Sequence, residues 1–161
     1  MVKQANKNDI PIIEEILLDV VMWMKKNGLQ NQWNEDNIKW NSLSKDYQIE
    51  DFYIVYENKL PIGCMALTDL DKKYWPEISK GNSLYVHKLA VKRRFAGKGF
   101  SKELINFAKK LSLKNRINSL RLDCNFNRDK LRKVYENEGF VYVRKKNDLN
   151  NYDMALYMWY K

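Results

Sequence analysis

The 161-residue chain contains one histidine, two cysteines, three prolines and six glycines. With a single histidine, and with Cys64 and Cys124 far apart and outside any CxxC pair, a Cys/His zinc site is excluded and no metal is expected. Two isolated thiols give no disulfide framework, so the chain reads as cytoplasmic with its cysteines reduced and packed as small hydrophobes. No apolar run approaches the roughly 20 residues that a membrane-spanning helix needs. Met1-Val2-Lys3-Gln4-Ala5-Asn6-Lys7 has neither the apolar core nor the cleavage site of a secretory signal. Few glycines and prolines leave no linker and no low-complexity stretch. What is present is a 45% hydrophobic share with 13% aromatics, enough for one substantial core, and a single domain over residues 1–161 is expected.

The formal net charge is +9, and its distribution says more than its size. Residues 86–146 hold 18 Lys/Arg against 5 Asp/Glu, a balance of +13, while the rest of the chain stands at −4. A coat for nucleic acid would spread its charge more evenly, and no RNP-type aromatic motif accompanies these cations. A basic half joined to a mildly acidic half fits a phosphate-bearing small ligand better.

Hydrophobic spacing predicts a short strand at Val2–Ala5 and a helix capped by Asp9, with Ile13, Ile16, Leu17, Val20, Val21 and Met24 on one face and Gly28 as its stop. A second helix is expected over 35–43. Strands at 52–56 and 62–67 form a hairpin about Glu57-Asn58-Lys59. A polar loop over 68–82 leads to a strand at Ser83–Val91. A helix marked by Phe100, Leu104, Phe107, Ala108 and Leu111 follows, then a strand at Leu120–Cys124. Leu131, Val134 and Tyr135 share a face of the next helix, Gly139 stops it, and strands at 140–143 and 154–159 complete the sheet. The order predicts an α/β fold with a mixed, mostly antiparallel sheet of about seven strands and about four helices.

The chemistry concentrates in Leu89-Ala90-Val91-Lys92-Arg93-Arg94-Phe95-Ala96-Gly97-Lys98-Gly99-Phe100-Ser101. A strand enters a turn with two glycines and a helix starts at once, so backbone N–H groups and the helix N-terminus can meet a pyrophosphate. The spacing is neither that of a Walker A loop nor that of a dinucleotide fingerprint.

Arg94-Phe95-Ala96-Gly97-Lys98-Gly99 fits the [Q/R]-x-x-G-x-[G/A] signature of the GCN5-related N-acetyltransferases (GNAT), and Leu89-Ala90-Val91 resembles that family's central strand. Downstream, Tyr135-Glu136-Asn137-Glu138-Gly139-Phe140 resembles its Y-x-x-x-G-F segment. The resemblance is dense over residues 83–143 and topological before that. It implies a single GNAT-like domain that transfers the acetyl group of acetyl-CoA to an amine in a ternary complex. Arg94, Gly97, Lys98, Gly99 and Phe100 would cradle the pyrophosphate. Leu89, Ala90 and Val91 would line the pantetheine arm, with backbone bonds from Leu89 and Val91. Tyr135 would protonate the departing thiolate. The family often carries an asparagine seven residues before this tyrosine; here Arg128 stands there and Asn127 one place earlier, so either residue is open as the contact.

His87 shares a strand face with Tyr85, Leu89 and Val91 by alternation and is the candidate base, with a water chain as the alternative. Trp23, Trp33 and Trp40 either border the acceptor pocket or anchor the N-terminal helices. The loop acids Asp69, Asp71 and Glu77 beside Tyr74 and Trp75 suit a cationic acceptor, by charge and cation–π attraction. A small-molecule amine is thus the expected partner, with no nucleic acid and no membrane, and a homodimer is left open. Acetylation of protein N-termini or lysines, acetyl-CoA sensing without turnover, and RNA binding are the alternative functions.

Overall fold

Alternation and helical periodicity resolve into seven strands and four α-helices among the described residues, 1–29, 32–148 and 152–161, of a computed structural model. Strand order along the sheet is β1-β2-β3-β4-β5-β7-β6, with β4 and β5 its parallel pair. The chain divides into two compact units, and both the fourth strand and the third helix are shared between them.

The first unit comprises Met1–Leu67 and Lys88–Phe107. It holds β1 (Val2–Gln4), α1 (Ile10–Lys26), α2 (Trp40–Leu43), β2 (Phe52–Glu57) and β3 (Leu60–Thr68). It also takes the C-terminal half of β4 (Leu84–Val91) and the first half of α3 (Phe100–Lys114). α1 buries Ile13, Ile16, Leu17, Val21 and Met24 against Phe52, Ile54, Cys64, Ala66 and Ala90. The β2–β3 hairpin turns at Asn58 and Lys59, both at positive φ, the conformation that matches the right-handed twist of two-residue hairpins. Asp9 sits at the start of α1, yet its carboxylate accepts from the Asn6 N–H, in a capping box of the preceding 3₁₀ turn rather than of the helix. The helix expected over 35–43 is helical only at its last four residues.

The second unit comprises Thr68–His87 and Ala108–Lys161. β5 (Ser119–Asn125) lies parallel to β4, and β7 (Asp153–Tyr160) runs antiparallel to β5 from Ser119↔Tyr160 to Asn125↔Met154. β6 (Val141–Asn147) pairs antiparallel with β7. α4 (Asp129–Asn137) precedes it and buries Tyr135. Val134, expected on the buried face, is exposed, so α4 packs through a narrower stripe than its sequence suggested.

Candidate active site

The glycine turn belongs to the first unit. After β4 a 3₁₀ turn covers Arg93–Phe95, and Gly97 and Gly99 follow at φ +75° and +89°. α3 begins at Phe100, whose ring stays buried against Phe95. A Cβ placed at Gly97 or Gly99 would meet nothing within 4 Å. The glycines therefore serve a backbone conformation and leave open space beside it.

The turn is tied to α1 by residues that the motif does not include. Lys92, buried at 6% exposure, reaches Glu15 with Nζ–Oε1 2.6 Å. The Arg93 N–H donates to Asp19 Oδ2 at 2.7 Å, and its guanidinium lies 3.6 Å above the Trp23 ring. Two of the four cations in Lys92–Lys98 are thus committed to α1. Arg94 and Lys98 remain exposed, stacked 4.8 Å and 5.4 Å from the Phe95 ring, and make no ion pair among the described residues. The partners of Lys92 and Arg93 were legible only as i, i+4 acids, Glu15 and Asp19, on α1.

Leu89 and Val91 are half-buried and Ala90 is buried in the first unit's core. Opposite them, a Cβ at Gly63 would lie 2.6 Å from the Ala90 carbonyl oxygen, so only glycine lets β3 come this near. Lys92 N–H donates to Ile62 O at 2.9 Å. Lys88 adopts φ +53°, which breaks the extended backbone. Alternation therefore does not carry His87 onto one face with Leu89 and Val91; it holds only as far as Tyr85 and His87, whose rings stack near-parallel at 6.4 Å. Trp23, Trp33 and Trp40 pack against the first unit's core, which is the anchoring role of the two considered.

Tyr135, His87 and Asn127 lie in the second unit. Tyr135 is buried, its ring 6.1 Å from Phe140 and 6.3 Å from Tyr157. Its helix is latched by Arg132, which donates from Nε to the Tyr157 hydroxyl at 2.8 Å and from Nη1 to the Phe126 carbonyl at 3.2 Å. The Tyr157 hydroxyl in turn donates to Glu136 Oε1 at 2.7 Å. Burial pushes the Tyr135 phenol strongly above its ordinary value; the charges of Cys124 and Asp123 add to the rise and Arg128 opposes it. The hydroxyl is therefore a persistent O–H. Asn127 is exposed in the turn before α4, its N–H donating to Asn125 Oδ1 at 3.0 Å, and Arg128 is the N-cap residue.

The two thiols are poor nucleophiles. Burial pushes Cys64 up to about 12, and burial with the nearby Asp123 charge pushes Cys124 to about 12. The loop acids also separate. Asp69 pairs with Lys80 at 2.6 Å and Glu77 with Arg144 at 2.6 Å, so both are neutralised. Tyr74 and Trp75 are buried, and Trp75 is already covered by Arg121 at 4.6 Å and Arg144 at 4.8 Å. The expected aromatic cation box is thus filled from within. Asp71 alone of the three acids is buried, and His87 and Asp123 lie beside it.

A glycine turn feeding a helix after β4, a parallel β4–β5 pair and a buried tyrosine on α4 together define a GNAT acetyltransferase. Residues 17–140 match the model of the Acetyltransferase (GNAT) family, and the chain belongs to that family. It is 26% identical over 148 residues to "Uncharacterized N-acetyltransferase YesJ" of Bacillus subtilis (strain 168), covering 84% of this chain and 78% of that one. Among solved structures, a GNAT-family acetyltransferase from Listeria monocytogenes 4b F2365 superposes with a TM-score of 0.77 at 24% identity, over 100% of this chain and 94% of that one. The yncA acetyltransferase of Salmonella typhimurium, solved with its cofactor acetyl-CoA, gives 0.70 at 13% identity over 99% and 92%. No described helix is long and apolar enough to cross a membrane.

Proposed function

We propose that this chain, as one acetyltransferase domain in the cytoplasm, moves the acetyl group of acetyl-CoA to the amine of a small cationic acceptor by direct attack in a ternary complex. The turn Arg94–Phe100 carries the reading of the donor. Its two positive-φ glycines leave open space, Arg94 and Lys98 have no carboxylate partner among the described residues, and a 15-residue helix starts directly after. A pyrophosphate there accepts from the backbone N–H groups of Gly97 to Phe100, helped by the helix dipole and the two cations. Ala90 anchors the strand whose neighbours Leu89 and Val91 offer backbone groups to pantetheine, and Asn127 offers a side-chain amide. The Salmonella relative, solved with acetyl-CoA, supports this donor.

The acceptor nitrogen forms its bond to the carbonyl carbon as the carbon–sulfur bond breaks. The Tyr135 O–H stabilises the leaving thiolate as a hydrogen-bond donor, and His87 takes the proton that the ammonium must lose. The charge asymmetry, +13 in residues 86–146 and −4 elsewhere, supports an anionic donor and a cationic acceptor. The test is acetyl-CoA-dependent thiol release with spermidine, neutral and anionic amines, and peptides with free N-termini. Spermidine should be turned over best, with a KM that rises with ionic strength. Neutral or anionic acceptors turned over best, with a KM insensitive to salt, would overturn the cationic acceptor.

A further inference from the structure

The parallel β4–β5 ladder has register pairs Leu84↔Leu120 and Tyr85↔Arg121. Two residues beyond the second pair stand His87 on β4 and Asp123 on β5. Alternation puts Tyr85, His87, Arg121 and Asp123 on one face. The loop after β3 brings Asp71 over that face. Its Oδ1 accepts from the Lys73 and Tyr74 N–H groups, both at 3.0 Å, so the loop holds the carboxylate in place. One ring nitrogen of His87 and one carboxylate oxygen from each of Asp71 and Asp123 all lie within 4.8 Å of one another.

A second observation points to an occupant. Tyr85 is fully buried, its ring stacks on His87, and its hydroxyl has no hydrogen-bond partner among the described residues. Burial raises its phenol, with Arg121 opposing and Asp71, Glu77 and Asp69 adding. Buried hydroxyls without partners are uncommon in finished structures and mark places that a ligand or water completes. The surrounding charges fix the sign of that ligand. Glu77 is spent on Arg144, and Asp69 on Lys80. The Arg121 guanidinium lies over the Trp75 ring, 4.6 Å from its centre. Asp71 and Asp123 set two carboxylates against one imidazole, with Arg121 as the cation beside them, and this surrounding suits a single ammonium.

We propose that Asp71, Asp123 and His87 form the station where the acceptor's ammonium is held and stripped of its proton. This rests on the amine-acceptor reading above. The two carboxylates accept hydrogen bonds from R–NH₃⁺, and one N–H proton passes to the imidazole. R–NH₂ with its lone pair and an imidazolium between two carboxylates result. Asp71 and Asp123 also act as positioning residues for the ring, because a carboxylate on each side fixes its tautomer and favours its charged form.

His87 is the chain's sole histidine, so its Cε1–H gives a single resolved NMR signal. In D71N and in D123N, tested separately because Asn keeps the shape and the loop acceptor, the titration midpoint of that signal should fall by about one pH unit. Spermidine should shift the signal in the wild type and lose that effect in both variants. In kinetics, each variant should raise the spermidine KM tenfold or more, leave the acetyl-CoA KM unchanged, and move the acid limb of kcat/KM to lower pH. Spermidine that shifts His87 but is not acetylated would overturn the acceptor class and leave the station standing. A His87 midpoint that is the same in all three proteins, or a signal indifferent to spermidine, would overturn the station itself.

Discussion

Tyr135 is held by its surroundings in the one protonation state that its proposed role needs. Burial makes the phenolate costly, so the O–H persists at every pH where the enzyme would work. A phenol with so raised a value gives up its proton reluctantly. Its proposed contribution is therefore to the developing thiolate, through a hydrogen bond made as the sulfur leaves, and not to the ground state. Tyr135→Phe should lower kcat by about 10²-fold while the acetyl-CoA KM stays near wild type, because only the leaving sulfur meets the hydroxyl. No alkaline limb from this phenol should appear below pH 10. A Phe variant with wild-type turnover would reduce Tyr135 to a packing residue between Phe140 and Tyr157. The Arg132–Tyr157–Glu136 latch explains why α4 can present a tyrosine with so little apolar burial elsewhere along it.

The turn between β4 and α3 concentrates most of what one element would contribute to the proposed function. Gly97 at φ +75° faces open space, so a valine there would clash with no protein atom. It would still pay roughly 1–3 kcal/mol for a left-handed β-branched residue, and it would fill the volume beside the backbone amides. Gly97→Val should therefore weaken acetyl-CoA binding by well over tenfold in calorimetry while the protein stays folded; an unchanged affinity would remove the turn from the donor site. This element was readable from residue order, since Arg94-x-x-Gly97-x-Gly99 shows both the glycines and the helix start. The β2–β3 hairpin and the long faces of α1 and α3 were readable for the same reason: period and turn residues are local. The α1 clamp on Lys92 and Arg93 was hidden, because Glu15 and Asp19 are distant in sequence and look like any solvated pair. The positive φ at Lys88 was hidden too, as lysine has no preference for that region. That single residue breaks the alternation on which the placement of His87 depended. The cluster of Asp71, His87 and Asp123 is the deepest of these gaps. Its members come from a loop and two strands, and the only trace in the sequence is the paired spacing Tyr85-x-His87 and Arg121-x-Asp123.

Taken over the whole molecule, the perturbed thiols and phenols share one direction. Cys64 and Cys124 are pushed from about 9 to about 12, and Tyr135 rises strongly, with smaller rises at Tyr53, Tyr56, Tyr85 and Tyr157. All are acids kept neutral mainly by burial. Below about pH 8 they are protonated in folded and unfolded chains alike and give stability almost no pH dependence. Above it the unfolded thiols release protons that the fold must keep, so the native state binds more protons and stability falls as pH rises. Each thiol contributes up to about 1.4 kcal/mol per pH unit between its unfolded and folded values, and the tyrosines join above pH 10. Denaturant unfolding should therefore be nearly flat from pH 7 to 8 and lose up to about 3 kcal/mol per unit between pH 9 and 10. Replacing both cysteines with alanine lowers stability at pH 7 through lost packing, yet it should flatten the slope above pH 9, which a packing defect alone cannot do. A double variant with the wild-type slope would mean that the thiols ionise in the folded protein and that their burial is shallower than the fold indicates.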